Sequence, residues 1–374
     1  MATKEPVSQE EALDGTCRST LGPGGDGDAQ TASRFLDRLP QEVRDKIYTA
    51  VFSSATLTIR APKGSSAPSP EVAGGRHQSS SNVLSLLRTC RRVRSEIGIT
   101  WLGQVLFTFK DAWIMVDRLA ALPTTSISQI RRVRLHAASL KIPLASGVVY
   151  VSLASALSFL PGLRLDEFTV LGGYLTILNG NTVNDLVKSG NGWKTLRYLC
   201  ATSAILNVLA PRLDWAEEMR YVPVPNFGGW HDELVKRDGA ASGPSVAFYR
   251  STKQRAHDKF SGNPSPVGSA HEELEKTVLV EVSRGSGADF QVREGAGFLD
   301  AVNRFQGGTP TKISSWAEVR SLCSGGPDKG WTPLLDYGLF DDVDEHGWTR
   351  ISVKNGVISA EEAAGAAGRG ILKL

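Results

Sequence analysis

Three stretches carry the reading of this chain: QIRRVRLHA (residues 129–137), GLRLDEFTV (162–170) and TLRYLCATS (195–203). Each contains an aliphatic–arginine pair, beginning at Ile130, Leu163 and Leu196, and successive pairs stand 33 residues apart. Short runs of this kind, rich in aliphatic residues alternating with polar ones, read as strands. Between the first two, VVYVSLASALSFL (148–160) sets Leu153, Leu157 and Leu160 at helical spacing. Between the second and third, NTVNDLVKSG (181–190) carries Val183, Leu186 and Val187 behind an N-cap at Asn181 or Thr182 and stops at Gly190. A strand and a helix every 33 residues predict a leucine-rich-repeat-like domain, in which parallel strands line one face and each repeat buries its apolar side against its neighbours. Three copies are few, and a mixed α/β layer without true repeats fits the same residues.

Toward the C-terminus, PSVAFYRS (244–251) and TVLVEVS (277–283) read as further strands, and Ser315 with Glu318 forms a capping box ahead of Trp316, Val319 and Leu322. Toward the N-terminus, RFLDRLPQEVRDKIYTAVF (34–52) predicts an amphipathic helix starting at Pro40, with Glu42 in its first turn and Val43, Ile47 and Val51 on one face. A Ser/Pro/Gly-rich spacer covers 61–81. Beyond Asn82, a good N-cap, one helix is expected to carry Leu86, Cys90, Val93 and Ile97 on an apolar stripe, with Arg88, Arg91, Arg92 and Glu96 opposite. A strand with Val105, Phe107 and Phe109 alternating follows.

LDRLPQEVRDKIYTAVF (36–52) resembles the first helix of F-box and F-box-like domains, and LSLLRTCRRVRSEIGITWLGQVLFTF (84–109) resembles the segment that follows it in fungal F-box-like proteins. The second match rests on Leu86, Leu87, Arg88, Thr89, Cys90, Arg91, Val93, Ser95, Glu96, Phe107 and Phe109. The chain departs from that pattern in its long internal spacer and just before the Phe-x-Phe strand, where the family's usual tyrosine and asparagine are replaced, with Leu102 and Val105 standing nearby. The resemblance implies that Leu39, Pro40, Val43, Ile47, Leu87, Cys90 and Val93 contact a partner, the adaptor subunit of a cullin-RING ubiquitin ligase. It further implies that the downstream domain holds a protein target.

The expected fold class is therefore α+β or α/β, an F-box-like N-terminal helical unit followed by an irregular leucine-rich-repeat-like strand–helix domain. The expected organisation is an unstructured tail over 1–33, the F-box-like unit over 34–110 with its insert at 61–81, and a repeat-like domain over 111–251. A linker at 252–270, an α/β continuation over 271–358 and a flexible tail over 359–374 complete it. The expected function is non-enzymatic protein binding. The alternatives are a stand-alone scaffold whose F-box-like helices only complete a core, and an unrecognised enzyme in the C-terminal half.

Composition excludes several other classes. With 42 basic against 39 acidic residues the chain has no field that implies nucleic acid, and the arginines at 88, 91, 92 and 94 and at 131, 132 and 134 lack interleaved aromatics, which favours a solvated or salt-bridged face. Cys17, Cys90, Cys200 and Cys323 lie more than seventy residues apart, so no CxxC pair exists and a reducing compartment, cytoplasm or nucleus, is expected. The acidic N-terminus does not read as a secretory signal, and the uncharged run Ile142–Leu163 contains prolines and serines that disfavour a membrane span. Gly22, Gly24 and Gly27 match G-x-G-x-x-G without a preceding strand, and Asp342–Gly347 opens like a calcium loop but has Val353 where the bidentate glutamate belongs. No cofactor and no metal are expected.

Overall fold

The computed structural model describes residues 34–59, 81–136, 139–144, 147–172, 176–200, 205, 210–213, 219–222, 229–252, 277–293, 315–322, 347–354 and 357–360. The expectations for the N-terminal tail, the C-terminal tail beyond Ala360, the 61–81 spacer as far as Ser81, the linker beyond Thr252, the glycine motif at 22–27 and the acidic loop at 342–346 fall outside these residues, while Ser359 and Ala360 end a strand. The chain divides into two compact units, residues 1–46 and 47–374.

In the first unit, α1 (Arg34–Arg38) is followed at Gln41 by the start of α2 (Gln41–Ser53). Arg44 is 4% exposed, and its guanidinium donates to the carbonyls of Leu36 (3.0 Å) and Leu39 (2.5 Å) and to Gln41 Oε1. It thereby satisfies carbonyls that the end of α1 leaves without an intrahelical donor.

The second unit continues with β1 (Thr56–Ile59), α3 (Ser81–Thr89), α4 (Arg91–Ile97), β2 (Leu106–Phe109), α5 (Ala112–Leu119), α6 (Thr124–Ile127) and β3 (Arg132–Leu135). Then come β4 (Ser139–Leu144), β5 (Gly147–Ser152), α7 (Leu153–Leu157), β6 (Leu165–Leu171), α8 (Thr176–Ser189) and β7 (Trp193–Cys200). The last elements are β8 (Ala210–Leu213), β9 (Met219–Val222), α9 (Trp230–Asp238), β10 (Ser245–Ser251), β11 (Val278–Ser283), α10 (Trp316–Leu322), β12 (Trp348–Lys354) and β13 (Val357–Ala360).

Nine strands form one sheet in the order β1-β2-β3-β6-β7-β11-β10-β12-β13. The first five are parallel, and β11, β10, β12 and β13 extend them antiparallel. The α/β class is therefore observed. Two small hairpins, β4-β5 and β8-β9, stand outside the main sheet.

Strand alternation divides the sheet side chains between two faces. Val133, Leu135, Phe168, Val170, Leu196, Tyr198, Val280 and Val282 share one face and are fully buried. Burial of each large aliphatic or aromatic side chain contributes about 1.5–3 kcal/mol. Helix α8 covers this face, since Asn179 accepts a hydrogen bond from the buried Tyr198 hydroxyl at 2.9 Å. Trp230 of α9 stacks on Phe248 of β10, which pairs with Val280 on the same face.

The sheet register departs from the 33-residue period. Arg132 stands opposite Glu167, 35 residues on, whereas Phe168 stands opposite Leu196, 28 residues on. Ile130 and Leu163 precede their strands, but Leu196 lies within β7. The two crossovers also differ in kind, the first being a hairpin plus a five-residue helix and the second a fourteen-residue helix. An equal spacing of two-residue motifs is thus not an equal spacing of structural units, and the parallel strands follow one another at uneven offsets.

Three local expectations are also corrected. The run 148–152, expected to be helical, is strand β5, so the uncharged stretch considered as a membrane span is a hairpin strand followed by the short α7. No helix of the described residues is long and apolar enough to cross a membrane. Helix α8 starts at Thr176, five residues before Asn181, although Gly190 does end it, its N–H bonding to Leu186 O at 3.0 Å. Strand β1, TLTI, has no counterpart in the sequence reading, and with the expected strand β2 it places part of the 34–110 segment in the main sheet.

Candidate interaction surface

The helix expected beyond Asn82 is two helices. Cys90 has an extended backbone (φ −156°, ψ 161°) and is the N-cap of α4, its Sγ accepting from Val93 N at 3.3 Å. A residue that interrupts the helix cannot share one continuous stripe with Leu86 and Val93, so Cys90 is a half-buried cap rather than a core residue of that stripe. Val93 and Ile97 are buried. Tyr48 donates to Glu96 at 3.0 Å, and Glu96 also pairs with Arg92, which ties the second-unit part of α2 to α4. Phe52, Trp101 and Phe107 meet in sequence at centroid distances of 6.2 and 6.3 Å, each pair of rings tilted by 40°.

On α2 the stripe expected from Val43, Ile47 and Val51 does not coincide with the buried positions. Arg44, Tyr48 and Phe52, spaced by four, are buried. Val43 and Ile47, one residue earlier on successive turns, are 39% and 37% exposed, and Val51 is half-buried. Pro40 is exposed, and Leu39, Leu87 and Cys90 are half-buried. Of the seven residues assigned to partner contact, Val93 alone is buried, which removes it from any partner's reach in this conformation.

The sheet face opposite α8 has a different chemistry. Arg132, Glu167, Arg197 and Glu281 line up across β3, β6, β7 and β11 as an ion-pair chain, with contacts of 3.5, 2.5 and 3.0 Å. Burial alone would lower the Arg197 pKa, but Glu167 and Glu281 outweigh it and hold the guanidinium above its ordinary value. Beside this row, on the same face, Leu171, Leu199 and Leu279 form a buried cluster packed by Tyr249 and Trp348. Sequence reading missed Glu167 and Glu281 as partners of the arginines, because contacts 30 and 84 residues apart leave no local signature.

The arginine clusters divide accordingly. Arg132 is ion-paired, Arg131 donates to the Arg164 carbonyl at 3.0 Å, and Arg88, Arg91 and Arg94 are exposed. Among the described residues no group of three or more His, Cys, Asp or Glu is placed to hold a metal ion. Cys90 and Cys200 are free thiols, and burial pushes the Cys200 thiol well above its usual pKa, so it packs as a small apolar residue. No protein-family model, curated protein or solved structure matches this chain significantly.

Proposed function

We propose that the chain is a non-enzymatic interaction module, whose F-box-like segment engages the adaptor subunit of a cullin-RING ubiquitin ligase and whose sheet domain holds a protein target. The observation that carries this reading is the exposure of Val43 and Ile47 on α2. Two large aliphatics facing water on successive turns of a helix are a feature that a partner's apolar surface would cover, and they are positions that the F-box resemblance assigns to such a partner. In this role the protein performs no chemistry. It raises the effective concentration of its target near a transferring enzyme.

Co-purification of the full chain with the adaptor tests the reading. The wild type should retain it, and a Val43→Asp, Ile47→Asp variant with an unchanged thermal melt should lose it. Equal recovery by both, or by neither, would sink the adaptor role. A second reading is favoured by a separate observation: β1 and β2 extend the main sheet. On that reading the N-terminal elements complete a stand-alone scaffold, and the adaptor is recovered with neither protein.

A further inference from the structure

The ends of α8 and α9, the start of β7 and the turn after β11 come together around the Trp193 ring. Arg237, in the last turn of α9, and Arg284, just past β11, place their guanidinium centres 5.7 and 5.8 Å from its centroid. Arg284 donates to both oxygens of Asp238, to Asn191 Oδ1 and to the Asp289 carbonyl, so each of its three nitrogens has an acceptor. Arg237 Nε donates to Asp238 Oδ1 at 3.4 Å and its Nη1 to the carbonyls of Leu186 and Val187. Its Nη2 is buried and meets no acceptor among the described residues. The Trp193 indole is in the same position: the residue is 0% exposed, and its N–H has no acceptor among the described residues.

Both unused groups are donors. A buried indole N–H or guanidinium nitrogen ordinarily finds an acceptor, because desolvation without one is costly. The charges are unbalanced in the matching sense. Two guanidinium groups share one buried carboxylate, Asp238, whose side chain is 3% exposed, while the carboxylate of Asp289 is exposed and pairs with Arg293. Burial and the Arg284 charge lower the Arg237 pKa to about 10, the response of a cation without its full complement of negative charge.

We infer that this cluster is a binding site for a small monovalent anion, a halide such as chloride, held by Arg237 Nη2 and the Trp193 indole N–H. The surplus is one positive charge, the unused groups need an acceptor, and the enclosure of Trp193 requires a small ion. The bound anion ties the end of α9 to the start of β7. This goes beyond the adaptor reading and does not rest on it.

The test follows the melting temperature of the full chain as sodium chloride replaces sodium gluconate at constant ionic strength, which holds general screening fixed. For the wild type, a saturable rise of about 2 °C or more is expected between about 1 and about 100 mM chloride. Arg237→Met should lose the rise, and Trp193→Phe, which keeps an aromatic ring but not the N–H, should reduce it. Arg293→Met, at the surface, should keep it. No rise in the wild type, or an undiminished rise in a folded Arg237→Met chain, would overturn the inference. Should Arg237→Met not fold, wild-type crystals grown in bromide decide instead. An anomalous peak within hydrogen-bonding reach of Trp193 Nε1 and Arg237 Nη2 is expected, and an ordered water there, or no peak, overturns it.

Discussion

Two arginine–carboxylate networks in the second unit differ in depth. Arg284, just past β11, is 1% exposed, and it donates to both oxygens of Asp238 at 2.7 and 2.5 Å, to Asn191 at 3.2 Å and to the Asp289 carbonyl at 3.0 Å. Arg237, alongside, donates to the carbonyls of Leu186 (3.3 Å) and Val187 (2.5 Å) near the end of α8; burial and the Arg284 charge lower its pKa to about 10. Both guanidinium groups lie over Trp193. Arg197 on the open sheet face also meets two carboxylates, but all members of that row keep partial contact with water. The first network joins α9, β11 and the end of α8 where solvent cannot substitute for a lost partner. The second can lose a partner to water at a smaller cost.

The largest effect should come from breaking the buried network. Asp238→Asn or Arg284→Met should cost about 3–5 kcal/mol in chemical denaturation, since either leaves a desolvated charge or carboxylate without its match. Burial, the largest single influence, would raise the Asp238 pKa, but the hydrogen bonds and charges of Arg284 and Arg237 together outweigh it and hold it below the usual carboxylate value. Its stabilisation is therefore complete above about pH 4 and is lost as pH falls through the lowered pKa, so the Asp238→Asn variant should show a flatter acid-denaturation profile than the wild type. A profile of unchanged slope would show that this carboxylate is not the acid-sensitive one.

An intermediate loss is expected from Gly172→Ala. A Cβ there would stand 2.7 Å from Asn179 Oδ1 and 2.8 Å from Tyr198 Cε1, beside a buried hydrogen bond. Overpacking of this kind costs about 1–3 kcal/mol, measurable as a drop in melting temperature at constant denaturant slope. On the open face, Glu281→Gln should cost under about 1 kcal/mol, with the loss shrinking as salt is raised. A loss comparable to that of Asp238→Asn would erase the distinction between the two networks. The smallest change in stability, within about 0.5 kcal/mol, is expected from Val43→Asp with Ile47→Asp, because those side chains already face water.

Elements with short-range signals were legible. Strands β6, β7, β10 and β11 follow from aliphatic-rich, alternating runs, the end of α8 from Gly190 and the start of α10 from Ser315. The interaction candidates were legible in part, since Val43 and Ile47 are visible as apolar positions, but not as exposed ones, because Arg44 is buried against the carbonyls of Leu36 and Leu39 and Tyr48 and Phe52 are buried within the second unit. A buried arginine that bonds carbonyls of the preceding turn is not an expectation that hydrophobic periodicity can supply. The break at Cys90 was hidden for a related reason: its spacing fits a helix, and only the cap geometry shows that the chain leaves helical conformation there.

Local sequence therefore determined several of the strands and helices, β6, β7, β10, β11 and the limits of α8 and α10 among them, because turn chemistry and side-chain periodicity act over a few residues. Tertiary structure decided the rest: the 35- and 28-residue offsets that replace an even repeat, the insertion of β11 between β7 and β10, the docking of α10 on Asp117, and the pairing of Arg284 with Asp238. Each depends on packing free energy summed over residues far apart in the chain, where any one local motif is only a small contribution.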